Sequence, residues 1–228
     1  MQYTLIDLTH EINSDIPTWD GSCGFHQKCV GDYDNPGDTK FKMLEYEMRA
    51  GCGTHMDAPS HCNHGEWGIS DIPVENCVGP LCVIDIQNRA TPDYLLSIED
   101  VKEYEEAHGP LEQSIVVIYT GWSRFWSDPN KYRNPDSTGK MHFPTVSKEA
   151  GCYLFDKGVK GLAIDTLSSD LGHDGYFPNH EQFLSDNRYL IENVANAHLL
   201  PPKGAMGYAL PLKIFKGSES PIRFIAMI

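Results

Sequence analysis

Compact apolar runs alternate with longer polar segments along this chain of 228 residues. Ser114–Thr120 is short, continuous and rich in β-branched residues, which predicts a strand buried on both faces. Gly161–Asp165 predicts a second buried strand, and Leu81–Ile86 predicts a third, short one. Further strands are predicted at 3–8, 41–49, 190–192, 204–215 and 221–228.

Two helices are predicted between these strands. The first runs from Ser97, a good N-cap residue, to about His108, where a Gly-Pro pair stops it. The second runs from Ser147 to Lys157 and is followed by a glycine at the usual C-cap position. Loops are predicted at 12–40, 124–145 and 166–180, and a helical turn at 181–183.

Helices and strands alternate in the middle of the chain, whereas strands dominate both ends. This order predicts an α/β fold in which a curved, mixed and partly barrel-like sheet carries a few helices on its outside. No linker composition interrupts the sequence, so residues 1–228 are predicted to form one domain.

The charge of the chain restricts the kinds of partner it is expected to bind, and its cysteine content indicates the compartment. The formal net charge of −14 argues against a general nucleic-acid binder, which needs a basic face. No secretory signal and no apolar stretch long enough for a membrane span is visible, so no membrane partner is expected. The seven cysteines have no CxxC spacing, which favours free thiols and a cytoplasmic location over a disulfide framework.

The strongest chemical signal lies in residues 51–61, which read Gly-Cys-Gly-Thr-His-Met-Asp-Ala-Pro-Ser-His. The segment places His55, Asp57 and His61 within seven positions, and imidazole and carboxylate groups are ligands that divalent zinc, manganese or iron prefer. Pro59 resists helix continuation, so a strand running into a rigid turn is predicted. In an extended chain His55 and Asp57 point to the same side and can chelate one ion.

The order of motifs resembles the metal-dependent cyclase/hydrolase family, which includes bacterial kynurenine formamidase and isatin hydrolase. The family pattern His-x-Gly-Thr-His-x-Asp-x-Pro-x-His is matched from Gly53 to His61. The other resembling stretches are Asp7–His10, Ile16–Trp19, Thr120–Ser123, Gly161–Thr166 and His180–Asn193. The resemblance covers nearly the whole chain and implies a swivelling β/β/α type of fold and a homodimer or higher homo-oligomer.

The resemblance also implies the metal ligands. His55 and Asp57 would bind a first ion, Asp57 would bridge to a second, His180 would bind the second, and Glu192 would contact one or both. One or two zinc or manganese ions are therefore expected. The implied activity is hydrolysis of a carbon–nitrogen bond in a small aromatic or cyclic amide by metal-bound hydroxide.

Two further residues receive roles from the resemblance. His61 would be the general acid/base that protonates the departing nitrogen, and Trp19 would line the substrate pocket. His173, in the predicted 166–180 loop, can also reach this pocket. The same site can alternatively open a lactone or run in reverse as a ring-closing cyclase.

One position departs from the family pattern. The pattern opens with a histidine where this chain has Gly51, and a glycine side chain cannot bind metal. Water, Cys52, His26 or His64 can replace the missing ligand. Three outcomes follow: a looser first site with altered metal preference, a single ion nearer His180, or a binding protein without hydrolase activity.

Overall fold

The computed structural model describes residues 3–35, 37, 40–172 and 175–228. In chain order the strands are β1 (Leu5–Asp7), β2 (Phe25–Gly31), β3 (Met43–Met48), β4 (His55–Asp57), β5 (Val78–Asp85), β6 (Leu95–Leu96), β7 (Ile115–Tyr119), β8 (Thr145–Val146), β9 (Gly161–Ile164), β10 (Tyr189–Glu192), β11 (Lys203–Pro211) and β12 (Glu219–Met227). The α-helices are α1 (Ile98–His108), α2 (Pro129–Arg133), α3 (Lys148–Asp156) and α4 (Pro178–Phe183).

Eight of the strands form one sheet, in the order β1-β12-β11-β5-β7-β9-β10-β4. β4 also pairs with β12, so the sheet closes on itself as a barrel of seven strands, with β1 added at the side of β12. β5, β7, β9 and β10 run parallel, while the remaining pairs are antiparallel. The predicted curved, mixed and barrel-like sheet is confirmed.

Both faces of the central strands are buried, which explains their continuous apolar sequences. Along β7, Ile115 and Val117 face a core inside the barrel, whereas Val116 and Ile118 face a second core outside it. The outer core includes Leu154 of α3 and other helix side chains. The alternation follows from the two-residue period of a strand, and the helices cover the outer face.

The two long helices begin and end as the sequence predicts. The Ser97 side chain accepts a hydrogen bond from the Asp100 backbone N–H, and the Asp100 carboxylate accepts one from the Ser97 backbone N–H, so α1 starts with a capping box. Ser147 caps α3 in the same way by accepting from Ala150 N–H. No helix of the described residues is long and apolar enough to cross a membrane.

All three predicted loops contain regular structure, since helix α4 already begins at Pro178, inside the predicted 166–180 loop. The 12–40 segment includes β2, which pairs with β3 in a separate two-stranded hairpin (hairpin β2–β3) rather than in the barrel. The strand predicted at 41–49 is therefore present, but it pairs only with β2. The 124–145 segment includes the short helix α2, which Asp128 caps. β2 escaped prediction because its side chains are mostly exposed and show no apolar periodicity.

Candidate metal centre

The 51–61 segment enters the barrel as the short strand β4 and then turns. Gly53 has φ +69°, a backbone conformation that favours glycine, and it precedes a fully buried strand. The Thr54 side chain donates a hydrogen bond to the carbonyl oxygen of Asn193 at 2.6 Å, which ties the segment to the end of β10. The predicted strand followed by a turn is confirmed, since residues 59–61 form a single 3₁₀ turn.

Strand register determines which side chains flank β4. On one side β10 runs antiparallel, and Glu192 lies directly opposite His55. On the other side β12 runs antiparallel, and Glu219 lies directly opposite Asp57. Directly opposed residues of an antiparallel pair have neighbouring side chains. The barrel therefore gathers two glutamates around the His55 and Asp57 pair.

His180 reaches the same place from helix α4. Its Nδ1 lies 2.8 Å from Asp170 Oδ2. The Asp170 carboxylate also accepts hydrogen bonds from the backbone N–H groups of Asn179 and His180. Asp170 is itself buried. This contact fixes the imidazole ring, so a neutral His180 that donates from Nδ1 presents an unprotonated Nε2 to the pocket.

Asp57 and Glu192 each face both imidazoles. Asp57 Oδ1 is 3.5 Å from His55 Nε2, and Asp57 Oδ2 is 3.6 Å from His180 Nε2. Glu192 Oε2 is 3.5 Å from His55 Nε2, and Glu192 Oε1 is 3.4 Å from His180 Nε2. Each carboxylate thus offers one oxygen to either side of the centre, an arrangement suited to bridging two cation positions.

Burial and mutual charge shift the pKa values of this cluster. Burial raises the pKa of Asp57 to about 6, although the neighbouring histidines oppose the shift. Burial alone would lower the pKa of His55 and of His180, but the surrounding carboxylates outweigh it and both pKa values are raised. The centre therefore attracts positive charge. This property suits a divalent cation.

The residues present fit such an ion. Asp57 is 1 % exposed, yet its Oδ1 receives no hydrogen bond. A buried carboxylate oxygen without a donor is costly unless a cation satisfies it. Donor atoms of His55, Asp57 and Glu192 lie within 4.8 Å of one another. The nitrogen and oxygen donor set matches the preferences of first-row divalent metals.

Glu219 faces Gly51, the position where the family pattern has a histidine. A Cβ built on Gly51 would collide with Glu219 Oε1 and would lie 3.2 Å from His55 Nε2. None of the replacements considered from sequence lines the pocket: Cys52 is buried elsewhere, while His26 and His64 are exposed. His173 lies outside the described residues.

His61 and Trp19 lie at the mouth of the pocket, whose volume is about 270 Å³. The His61 side chain is 33 % exposed, and its Nδ1 is 3.4 Å from Glu219 Oε2. The ring centroids of Trp19 and Phe177 are 6.0 Å apart, so the two rings form an aromatic wall. The structure thus brings all six residues proposed from the sequence into one pocket.

Comparison with known proteins identifies the family of this chain. The sequence model of the Cyclase family matches residues 6–171, which include the 51–61 segment. The chain belongs to the cyclase family. The matched range ends before His180, Glu192 and Glu219. The positions of these three residues in the pocket therefore follow from the fold of this cyclase-family protein and not from the family match.

Relatives with assigned activities cover most of the chain. Isatin hydrolase of Roseibium aggregatum is 35 % identical over 210 residues, which are 87 % of this chain and 79 % of that protein. Kynurenine formamidase of Bacillus mycoides is 26 % identical over 220 residues, 96 % of this chain and 95 % of the relative.

Solved structures agree in fold. The crystal structure of an isatin hydrolase bound to the product analogue thioisatinate superposes with a TM-score of 0.91 at 28 % identity, covering 99 % of this chain and 92 % of that chain. Isatin hydrolase A from Ralstonia solanacearum gives a TM-score of 0.88 at 28 % identity, with 99 % and 92 % coverage. The predicted family and the predicted class, a metal-dependent amidohydrolase, are confirmed.

Five residues in or beside the pocket were missed from the sequence: Leu167, Ser168, Asp170, Phe177 and Glu219. Glu219 was missed because the closing strand was predicted to begin at Pro221, two residues too late. The other four fall in the segment predicted as loop. No local signal marks Glu219, because it begins a stretch of mixed polar and apolar residues, Glu-Ser-Pro-Ile-Arg, and its neighbours in the site come from other parts of the chain.

Proposed function

We propose that this protein uses a divalent ion to open a carbon–nitrogen bond in a small aromatic or cyclic amide, such as an N-formyl-arylamine, a lactam or an imide. The observation that carries the proposal is the pair of carboxylates that each face both imidazoles at the base of one pocket. Isatin hydrolase and kynurenine formamidase, whose names denote cyclic-amide and formamide hydrolysis, support the substrate class.

His55, Asp57, His180 and Glu192 are the residues that would hold the ion. Zinc and manganese both suit this set of nitrogen and oxygen donors. The two-sided contacts of Asp57 and Glu192 leave room for one ion or two. A bound divalent ion would lower the pKa of a water molecule and polarise the substrate carbonyl.

His61 is placed to move the proton. Its imidazole lies at the pocket mouth, within reach of solvent, and its ring centroid is 6.0 Å from that of His180. A histidine imidazole can deliver a proton to the departing nitrogen. An amide requires such protonation because an unprotonated amide nitrogen is a poor leaving group.

The walls of the pocket favour a flat, aromatic substrate. Trp19, Phe177 and Leu167 provide its apolar surface. Trp19 is 40 % exposed, which leaves its ring free to cover a ligand. A cavity of about 270 Å³ admits a single-ring or fused-ring amide rather than a polymer.

The test combines metal analysis with a substrate panel. The panel contains formanilide, isatin, a cyclic imide and phenyl formate, the ester counterpart of formanilide. We expect a bound divalent ion and amide hydrolysis in the wild type. His55→Ala should lower both metal affinity and hydrolysis by about 100-fold or more. The control variant is His26→Ala, because His26 is an exposed histidine outside the pocket.

Each other result has a definite meaning. A purified protein without a divalent ion, or intact hydrolysis in His55→Ala, would refute the proposal. Hydrolysis of phenyl formate alone would assign the lactone-type activity, since only the amide demands protonation of a departing nitrogen. Ion binding without any hydrolysis would indicate a binding protein.

We also propose a homodimer or higher homo-oligomer in the cytoplasm. The apolar side chains of hairpin β2–β3 support the assembly, because Val30, Met43, Tyr46 and Met48 are exposed. The seven free cysteines support a reducing compartment. The charge of −14 supports a small-molecule partner rather than nucleic acid. Analytical ultracentrifugation and cell fractionation test these points.

A further inference from the structure

The space beside Gly51 is occupied by a side chain from another strand. Gly51 lines the pocket, and a Cβ at this position would collide with Glu219 Oε1. The same Cβ would lie 3.2 Å from His55 Nε2. The Glu219 carboxylate therefore stands where a longer side chain at position 51 would begin, beside a proposed metal ligand.

Glu219 is held there by the barrel. It is the first residue of β12, and the β4–β12 register sets it opposite Asp57. Its side chain is only 22 % exposed, and donor atoms of Asp57, His61 and Glu219 lie within 4.8 Å of one another. In addition, the buried Asp57 Oδ1 has no hydrogen-bond donor. The residue opposite Glu219 thus has a buried carboxylate oxygen that no hydrogen bond satisfies and that a cation can satisfy.

We propose that Glu219 supplies the metal ligand that Gly51 cannot supply, so that a carboxylate from β12 replaces the imidazole of the family pattern. The inference rests on the proposed function, because it requires that the pocket binds a divalent ion. The inference names the residue that completes the side of the centre formed by His55 and Gly51. Glycine at 51 and glutamate at 219 form a matched pair, since one makes room for the other.

The exchange changes the chemistry of the centre. A carboxylate brings negative charge and oxygen in place of a neutral nitrogen donor. Oxygen donors suit manganese and magnesium, whereas imidazole suits zinc. Among the described residues, the pocket lining contains three carboxylates and no lysine or arginine. The ratio of zinc to manganese affinity is therefore lower than it would be with histidine at position 51.

The same geometry permits a rival role for Glu219. Its Oε2 lies 3.4 Å from His61 Nδ1, so Glu219 can instead only orient His61. The two roles predict different results. A ligand changes metal affinity, whereas a group that orients His61 changes the pH profile of hydrolysis and leaves metal affinity intact.

The experiment is titration calorimetry with MnCl₂ and with ZnCl₂ on the chelator-treated full chain. The variants are Glu219→Gln, Glu219→Ala, Gly51→His and the exchange variant Gly51→His/Glu219→Ala. Glu66→Gln is the matched control, because Glu66 is an exposed glutamate near the same segment. Circular dichroism and a thermal melt verify that each variant folds, and the isosteric Glu219→Gln guards against a packing defect in Glu219→Ala.

We expect Glu219→Gln and Glu219→Ala to weaken manganese binding about 10- to 100-fold, while Glu66→Gln matches the wild type. Gly51→His alone should not improve binding, because its side chain meets Glu219. The exchange variant should regain most of the lost affinity, with a higher ratio of zinc to manganese affinity than the wild type.

Three results would overturn the inference. Unchanged metal affinity in folded Glu219→Gln, with or without an altered pH profile, would leave Glu219 a positioning residue at most. An exchange variant no better than Glu219→Ala would show that the two positions are not equivalent. Stronger binding in Gly51→His alone would show that Glu219 does not fill the ligand position. A wild type that binds neither ion would instead refute the proposed function itself.

Discussion

The two sides of the candidate metal centre are built in different ways. The His180 side is rigid: the imidazole is buried on a helix and its Nδ1 is fixed by the buried Asp170 at 2.8 Å. The Gly51 side has no side chain of its own and relies on Glu219, a longer and half-buried residue from β12.

This difference separates two tasks. A ligand oriented before the ion arrives gives affinity at little entropic cost, whereas a carboxylate in place of an imidazole favours manganese over zinc. We therefore expect the His180 side to govern how tightly the ion binds. The Gly51 side should govern which ion is preferred.

The largest effect is expected from removing the carboxylate that both sides of the centre share. Glu192 faces His55 with one oxygen and His180 with the other. In Glu192→Gln one oxygen becomes an amide N–H₂, which cannot bind a cation and places a donor beside the imidazoles. We expect metal affinity and amide hydrolysis to fall together by about 100-fold or more.

Calorimetry and the formanilide assay measure the two losses separately. Glu181→Gln is the matched control, because Glu181 is an exposed glutamate on α4 beside His180. If Glu192→Gln lost hydrolysis while binding the ion as tightly as the control, Glu192 would act on substrate and would not hold the metal.

A smaller effect should come from the rigid side alone. In Asp170→Asn the side chain keeps its shape but loses the charge that holds His180 Nδ1–H. Partners of this kind usually contribute about 10- to 100-fold to metal affinity. We expect a loss in that range, with the ratio of zinc to manganese affinity unchanged, since Asp170 touches no proposed ligand other than His180.

Asp156→Asn, an exposed site at the end of α3, controls for the charge change. A loss confined to one metal would contradict the assignment of preference to the Gly51 side. Equal affinities in Asp170→Asn and the wild type would show that the His180 ring is held by packing alone.

The fold could be predicted where the signal was local. Continuous apolar runs at β7 and β9 indicate strands buried on both faces, and Ser97 and Ser147 mark helix starts through their own hydrogen bonds. Hairpin β2–β3 could not be predicted in this way, because its strands bury little surface and their pairing depends on contacts across a polar connection.

The residues of the site divide in the same way, into those with a local sequence signal and those that only the fold brings together. His55, Asp57 and His61 are visible in one short segment, since an extended chain sets alternate residues on one side. His180 and Glu192 were identified only by resemblance, because their spacing in the sequence carries little information. Glu219 was missed because its place beside Gly51 exists only in the folded barrel, where β12 pairs with β4.

The smallest predicted effect concerns pH and involves both sides equally. Burial raises the pKa of Asp57 from an ordinary value near 3.8 to about 6, and the carboxylates raise the pKa values of His55 and His180. Groups with raised folded-state pKa values stabilise the fold fully below their unfolded-state pKa, and this contribution is lost as pH rises through the folded-state value.

The chelated protein should therefore become less stable as pH rises from about 5 to 8, by about 1 kcal/mol in the free energy of unfolding in urea. A divalent ion takes the place of the protons, so adding MnCl₂ should remove the decline. His10 acts in the opposite sense, because burial lowers its pKa to about 4. The quantity to measure is therefore the difference between the wild type and a variant in how the free energy of unfolding changes with pH.

Asp57→Asn isolates the contribution of the centre from that of His10 and of the net charge of −14. The variant removes the titrating carboxylate and weakens the field that holds protons on both histidines. Its unfolding free energy should decline less with pH than that of the wild type or of the exposed control Asp15→Asn. A decline as steep as in the wild type would mean that neither side of the centre stores protons.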